Sequence, residues 1–207
     1  LADQFTLAAA AKRTGSKRLL GCKAHLIVEL DGQENSVRQE IAAVEKITRK
    51  QKPLFVERGF GNAQCEAVWQ IRREFSYALR DTGLTKLNED IVVPRGRLED
   101  LFRFTAQLQK KHQLPIACFG HAGDGNIHTN VMVDYTNRGA DRRADAALDD
   151  LFKQIVAWGG SITGEHGIGL AKKPWWSLAV SKETRELHRT VKKALDPRGI
   201  LNPGKFI

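Results

Sequence analysis

Apolar residues recur along this chain with two different periods, and the alternation between them predicts its elements. Val37, Ile41, Val44 and Ile47 fall three or four apart and predict a helix over roughly 35–51. Val68, Ile71, Phe75 and Leu79 predict a second helix, entered near Asn62 and left before Gly83. Leu98, Leu101, Phe102, Thr105 and Leu108 mark a third. Leu148, Leu151, Phe152, Ile155 and Val156 line a fourth, closed by Gly159-Gly160, and Leu187, Val191 and Leu195 define a last one, stopped at Asp196-Pro197. Between them, Ala24-His-Leu-Ile-Val-Glu-Leu30 reads as a strand ended by Asp31-Gly32, and Leu54-Phe-Val56 as a short strand after Pro53. Residues 1–21 carry an Ala-rich stretch and a basic turn without a legible period. The whole pattern predicts an α+β fold over 1–207, an antiparallel sheet with helices on one side in the ferredoxin-like manner. There is no internal repeat, low-complexity tract or interdomain linker.

The densest local signal is His121-Ala-Gly-Asp-Gly-Asn-Ile-His128. Asp124-Gly125 lies between the apolar runs Ile116–Phe119 and Val131–Val133, which is the signature of a hairpin. A reversal there brings His121 and His128 together across the two strands. His128 and Asn130, two apart on the outgoing strand, then point to one face. A second small-residue turn, Gly164-Glu165-His166-Gly167, sets an acid beside a base. Two imidazoles and a carboxylate from separate segments suit a divalent metal with open positions. A plain glycine turn with solvated histidines is the alternative that this spacing alone leaves open.

Composition narrows the classes. Hydrophobic residues at 42% and charged residues at 28% are ordinary for a globular protein. No apolar run approaches the length that crosses a bilayer, and no signal-peptide pattern opens the chain. A net charge of +9 and a pI near 9.6 raise the question of nucleic acid. The basic residues are dispersed and not interleaved with aromatics, so no nucleic-acid partner is expected. The charge suits anionic substrates, an acidic partner or anionic lipid, and the expected location is cytoplasmic, peripheral at the inner face of the membrane. Cys22, Cys65 and Cys118 are few, separated and without a Cys-x-x-Cys pair, as in a reducing compartment.

Three ordered motifs carry a family resemblance: His121-x-Gly-Asp-Gly-Asn-x-His128, Gly164-Glu-His-Gly-Ile-Gly169 and Asp196-Pro-x-Gly-Ile-Leu-Asn-Pro-Gly-Lys205. Trp69-Gln-Ile-Arg-Arg73 and Asn88-Glu-Asp-Ile-Val-Val-Pro-Arg95 extend it upstream. Together they resemble the C-terminal domain of FAD-linked oxidases, the group that includes D-lactate dehydrogenase, the flavin subunit of glycolate oxidase and D-2-hydroxyglutarate dehydrogenase. The resemblance implies oxidation of a D-2-hydroxy acid to the 2-oxo acid by hydride transfer to FAD. It implies that FAD is bound mainly by an N-terminal domain of the same full-length protein, which this chain, beginning at Leu1, is expected to lack. It also implies a protein or quinone electron acceptor.

The resemblance assigns roles residue by residue. His121, His128 and Glu165 match the divalent metal ligands, with zinc, manganese or iron all compatible. His166 matches the catalytic base, a task that suits an imidazole. Arg72 and Ser76, four apart on the second predicted helix, and Lys86 match the groups that hold the substrate carboxylate. Asn130 matches a substrate-facing amide, and Asn202 a flavin contact. Asp124 and Asn126 are expected to be turn formers bonded to local backbone. His25, His112 and His188 are expected to be structural or superficial. Two other classes remain compatible with the residues alone: a metal-dependent hydrolase built on the same cluster, and a basic binding module without catalysis.

Overall fold

A computed structural model describes residues 1–205 and 207. The chain forms two compact units, residues 1–83 and 84–207.

The first unit begins with a short antiparallel pair, β1 (Ala2–Asp3) and β2 (Ala24–His25). The strand expected from Ala24 to Leu30 forms only at its first two residues. Leu26 and Val28 stay exposed, so the alternation there has no apolar surface to bury. The segment Leu54–Val56 is irregular rather than a strand. Helix α1 (Gln4–Thr14) occupies the stretch in which the sequence showed no period. Its start is set by Asp3, whose carboxylate accepts the Thr6 N–H at 2.9 Å. Leu7, Ala10 and Ala11 are buried, and an Ala-rich helix hides its inner face from a periodicity search. It lies along α3 (Gly61–Arg80), which buries Phe75, Ala78 and Leu79. Arg13 bridges the two helices, reaching Glu74 at 2.6 Å and also pairing with Asp81. Helix α2 (Glu34–Lys50) matches its predicted span but has no fully buried residue.

The second unit is an antiparallel sheet in the order β4 (Ile116–His121), β5 (Asn126–Val133), β3 (Thr85–Val92). Helices α4 (Leu98–His112) and α5 (Ala140–Ala157) pack on one face of it, as expected. The register opposes Ile116 to Val131 and Val131 to Leu87 on that face, and Gly120 to Ile127 and Ile127 to Ile91. Leu101 and Leu108 of α4 and Leu151, Phe152 and Ile155 of α5 complete the core. Truncating a fully buried side chain such as Phe152 to Ala costs about 3–5 kcal/mol. Beyond α5, the chain forms α6 (Trp176–Ala179) and α7 (Lys182–Leu195). No helix among the described residues is long and apolar enough to cross a membrane.

The opposite face of this sheet is polar. Because cross-strand partners share a face, the register stacks three rows there: Ala117, Asn130, Asn88; then Phe119, His128, Asp90; then His121, Asn126, Val92. Strand β3 was not predicted, since adjacent acids at Glu89-Asp90 interrupt its apolar run. Those same acids serve the site.

Candidate functional site

The hairpin positions the first two histidines. Its turn closes with Asp124 N–H to His121 O at 3.0 Å and Gly125 N–H to Ala122 O at 3.3 Å. Gly125 has φ +74°, and a Cβ there would sit 2.1 Å from Val93 O. Only glycine allows the turn to lie against the end of β3, where Val93 N–H donates to Gly125 O at 3.0 Å. His121 ends β4 and is exposed, whereas His128 lies in the middle of β5 and is buried. Their ring centroids are 6.2 Å apart.

The second cluster reaches them through a loop that runs beside β3. Val92 and Ser161 exchange two backbone hydrogen bonds, at 2.9 and 2.8 Å, and Ile162 and Ile168 anchor the loop in the core. Between those anchors, Gly164, Glu165 and His166 stand exposed over the polar face. Glu165 Oε1 lies 3.7 Å from His121 Nε2. The His166 ring stacks on that of His128, 5.5 Å between centroids and 17° from parallel. One donor atom from each of His121, His128 and Glu165 lies within 4.8 Å of the others. Two imidazoles and a carboxylate are a donor set whose chemistry suits zinc, manganese or iron.

Beneath the loop is a residue that sequence reasoning missed. Asp90 is fully buried, and its Oδ2 accepts three successive N–H groups, from Gly164 at 2.8 Å, Glu165 at 2.5 Å and His166 at 2.8 Å. Successive N–H groups converging on one oxygen form an anion nest. Its Oδ1 accepts the Asn126 amide at 2.7 Å and lies 4.0 Å from His128 Nδ1. Burial acts to raise the Asp90 carboxyl, but the Asn126 amide and the N–H groups of His166, Glu165 and Gly164 outweigh it and hold the group well below the usual carboxylate range. Asn126 is therefore not bonded to its local turn as expected; it ties the hairpin to β3. The available signal was the alternation of Lys86, Asn88 and Asp90 with Leu87 and Ile91, interrupted at Glu89.

On the helix side of the same strand, buried Glu89 faces Lys172, with Lys172 Nζ 3.8 Å from Glu89 Oε2 and donating to Asp90 O at 3.0 Å. Burial raises the Glu89 carboxyl and lowers the Lys172 ammonium, each partly offset by the other's charge.

The remaining expected site residues fall in several places. Asn130 is buried beside His128, its amide donating to Ala117 O and His128 O at 3.0 Å each. Lys86 shares the polar face but opposes Met132, while Asn88 is the residue opposite Asn130. Arg72 and Ser76 are half-buried on α3 in the first unit, with the Arg72 guanidinium 5.9 Å from the Phe75 ring centre. Asn202 sits in a left-handed turn, φ +50°, that Lys173 holds through Gly204 O at 2.9 Å. His112 bonds Asp150 at 2.6 Å and His188 bonds Thr184 O at 2.7 Å, both structural contacts. The three cysteines are free.

Comparison with known proteins places the chain in a family. The family described as FAD linked oxidases, C-terminal domain, matches residues 1–206. The glycolate oxidase subunit GlcD of Bacillus subtilis is 34% identical over 184 residues, covering 89% of this chain and 39% of that protein. GlcD of Escherichia coli K12 is 30% identical over 205 residues, covering 99% of this chain and 41% of that protein. The mitochondrial cytochrome-type D-lactate dehydrogenase of Kluyveromyces lactis is 29% identical over 189 residues, covering 87% and 32%. This chain thus spans about two fifths or less of these relatives. Among solved structures, 4-ethylphenol oxidase from Gulosibacter chungangensis superposes with a TM-score of 0.60 at 15% identity, over 99% of this chain and 46% of that one, a likeness of fold.

Proposed function

The chain belongs to the C-terminal domain family of FAD linked oxidases, and from that premise we propose that it forms the substrate and metal portion of an FAD-dependent oxidoreductase acting on a D-2-hydroxy acid of the lactate and glycolate class. The observation that carries this reading is the convergence of His121, His128 and Glu165 with His166 stacked beside them.

His121, His128 and Glu165 would hold a divalent metal, which would supply Lewis acidity at the site. His166 removes the hydroxyl proton at an imidazole nitrogen, and its exposed position allows that proton to pass on to solvent. Asn130, the family's substrate-facing amide by resemblance, is buried beside His128 with its nitrogen engaged by two carbonyls. Arg72, Ser76 and Lys86 bind the carboxylate, and Asn202 contacts the flavin ring. FAD, when bound, supplies the hydride acceptor, and most of its binding surface belongs to an N-terminal domain of the full-length protein. A protein or quinone would serve as the electron acceptor. The chain's positive charge favours a position at the anionic inner face of the membrane, on the cytoplasmic side.

Anaerobic mixing of the full-length flavoprotein with D-lactate or glycolate tests the reading. Bleaching of the flavin band with one of these and not with L-lactate is the expected result. No bleaching with any 2-hydroxy acid would overturn it.

A further inference from the structure

Glu165 and His166 are exposed residues on a loop, yet both must face His128 for the cluster to exist. His166 stacks on His128 and Glu165 lies 3.7 Å from His121, and both contacts depend on where the backbone carries these side chains. That backbone is held from below by one carboxylate. Three consecutive N–H groups, including those of Glu165 and His166 themselves, donate to Asp90 Oδ2. The loop also lies directly on this anchor: a Cβ on Gly164 would come within 1.9 Å of Asn126 Nδ2 and 2.9 Å of Asp90 Oδ1. The other carboxylate oxygen holds Asn126, the first residue of β5, two positions before His128. Asp90 is itself fixed, since Lys172 Nζ donates to its carbonyl at 3.0 Å.

We propose that Asp90 is a positioning residue for both the metal and the base, setting the distance between the loop that carries Glu165 and His166 and the hairpin that carries His121 and His128. It touches neither substrate nor metal. Its two oxygens divide the work, Oδ2 gripping the loop and Oδ1 the hairpin, so one side chain fixes two segments distant in sequence. A neutral amide in its place cannot do both. It offers a single oxygen, and its NH2 group opposes the donors of either the loop or Asn126. The inference rests on the reading of His121, His128 and Glu165 as metal ligands, and its test separates the two.

The test compares parent, Asp90→Asn, Asn126→Ala and His121→Ala in the full-length protein, titrated with Co(II) and followed by visible absorption. Amide hydrogen exchange at residues 164–166 is measured in parallel. Asp90→Asn should keep the parent far-UV spectrum, weaken Co(II) binding about 10–100-fold, as loss of an outer-shell partner does, and alter the ligand-field bands. Its amides at Glu165 and His166 should exchange faster than in the parent. Asn126→Ala, which leaves the loop bonds intact, should alter the bands with little change in that exchange. If Asp90→Asn does not fold, Gly164→Ala replaces it, lifting the loop off the anchor with the same expected outcome. Unchanged Co(II) affinity and bands in a folded Asp90→Asn, or unchanged exchange at Glu165 and His166, overturns the positioning role. Parent-like Co(II) binding by His121→Ala overturns the metal reading instead, and the exchange measurement then decides the role of Asp90 alone.

Discussion

The imidazoles of His128 and His166 lie stacked, 5.5 Å between centroids and 17° from parallel. One projects from the middle of a strand and is buried; the other stands on a loop and is exposed. The contact fixes the plane of a side chain that its loop would otherwise leave among several rotamers. The two rings also differ in exposure. The exposed ring of His166 is open to proton exchange with solvent.

His166 should therefore act on the chemical step. In the flavin-loaded, full-length protein, His166→Ala should lower kcat with a D-2-hydroxy acid by ~10²–10⁴-fold, the usual loss for a positioned base. Arg72→Ala should raise KM more than it lowers kcat, because it removes a carboxylate partner rather than the base. Steady-state kinetics checks both. Near-parent kcat in His166→Ala would remove that residue from the mechanism.

Metal affinity should follow the ligands. His121→Ala and His128→Ala should each weaken zinc or manganese binding by more than the 10–100-fold that outer-shell changes cost. The His128 variant should be the more severe, since its ring is buried at the base of the cluster and that of His121 is exposed. Calorimetric titration of each variant reads the order, and equal affinities in all three proteins would refute the assignment.

The Glu89–Lys172 pair should behave as a buried ion pair. Lys172→Met leaves the Glu89 carboxylate beneath the sheet without its cation and should destabilise the protein by about 3–5 kcal/mol. Adding Glu89→Leu should recover most of that loss, because the double variant buries no charge there. Denaturant unfolding of the two single variants and the double variant measures the coupling. Additive losses would show that the pair does not interact.

The C-terminal turn that carries Asn202 should loosen in acid. Asp196 is buried; it pairs with Lys192 and accepts the N–H groups of Ile200 at 3.0 Å and Leu201 at 2.9 Å. The Lys192 bond first, and then these N–H groups, hold its carboxyl below the ordinary range against the opposing effect of burial. A carboxyl lowered on folding stabilises above its unfolded value, near ~3.9, and that contribution disappears as pH falls through the lowered folded value. Exchange protection at Ile200 and Leu201 should thus drop below about pH 4. In Asp196→Asn it should be weak at every pH. Protection that is flat with pH in the parent would contradict this role.

Much of the second unit was legible because its pattern is local. Asp124-Gly125 between apolar runs marks the hairpin, and the 3.6-residue recurrence of Leu148, Leu151, Phe152 and Ile155 marks α5, since each signal needs only neighbours along the chain. The α+β class followed from the same patterns and from the family motifs. Helix α1 was not legible, because alanine gives little contrast between an inner and an outer face. Strand β3 was hidden by Glu89 and Asp90, whose burial makes sense only once Lys172, Asn126 and the loop N–H groups are found beside them. Those partners come from 36 or more residues away, and no local period encodes them. By itself, the order of residues determined which elements form and which chemical groups the chain carries. Only the tertiary structure decided which of those groups meet, because a buried carboxylate can be satisfied only by donors that folding brings to it.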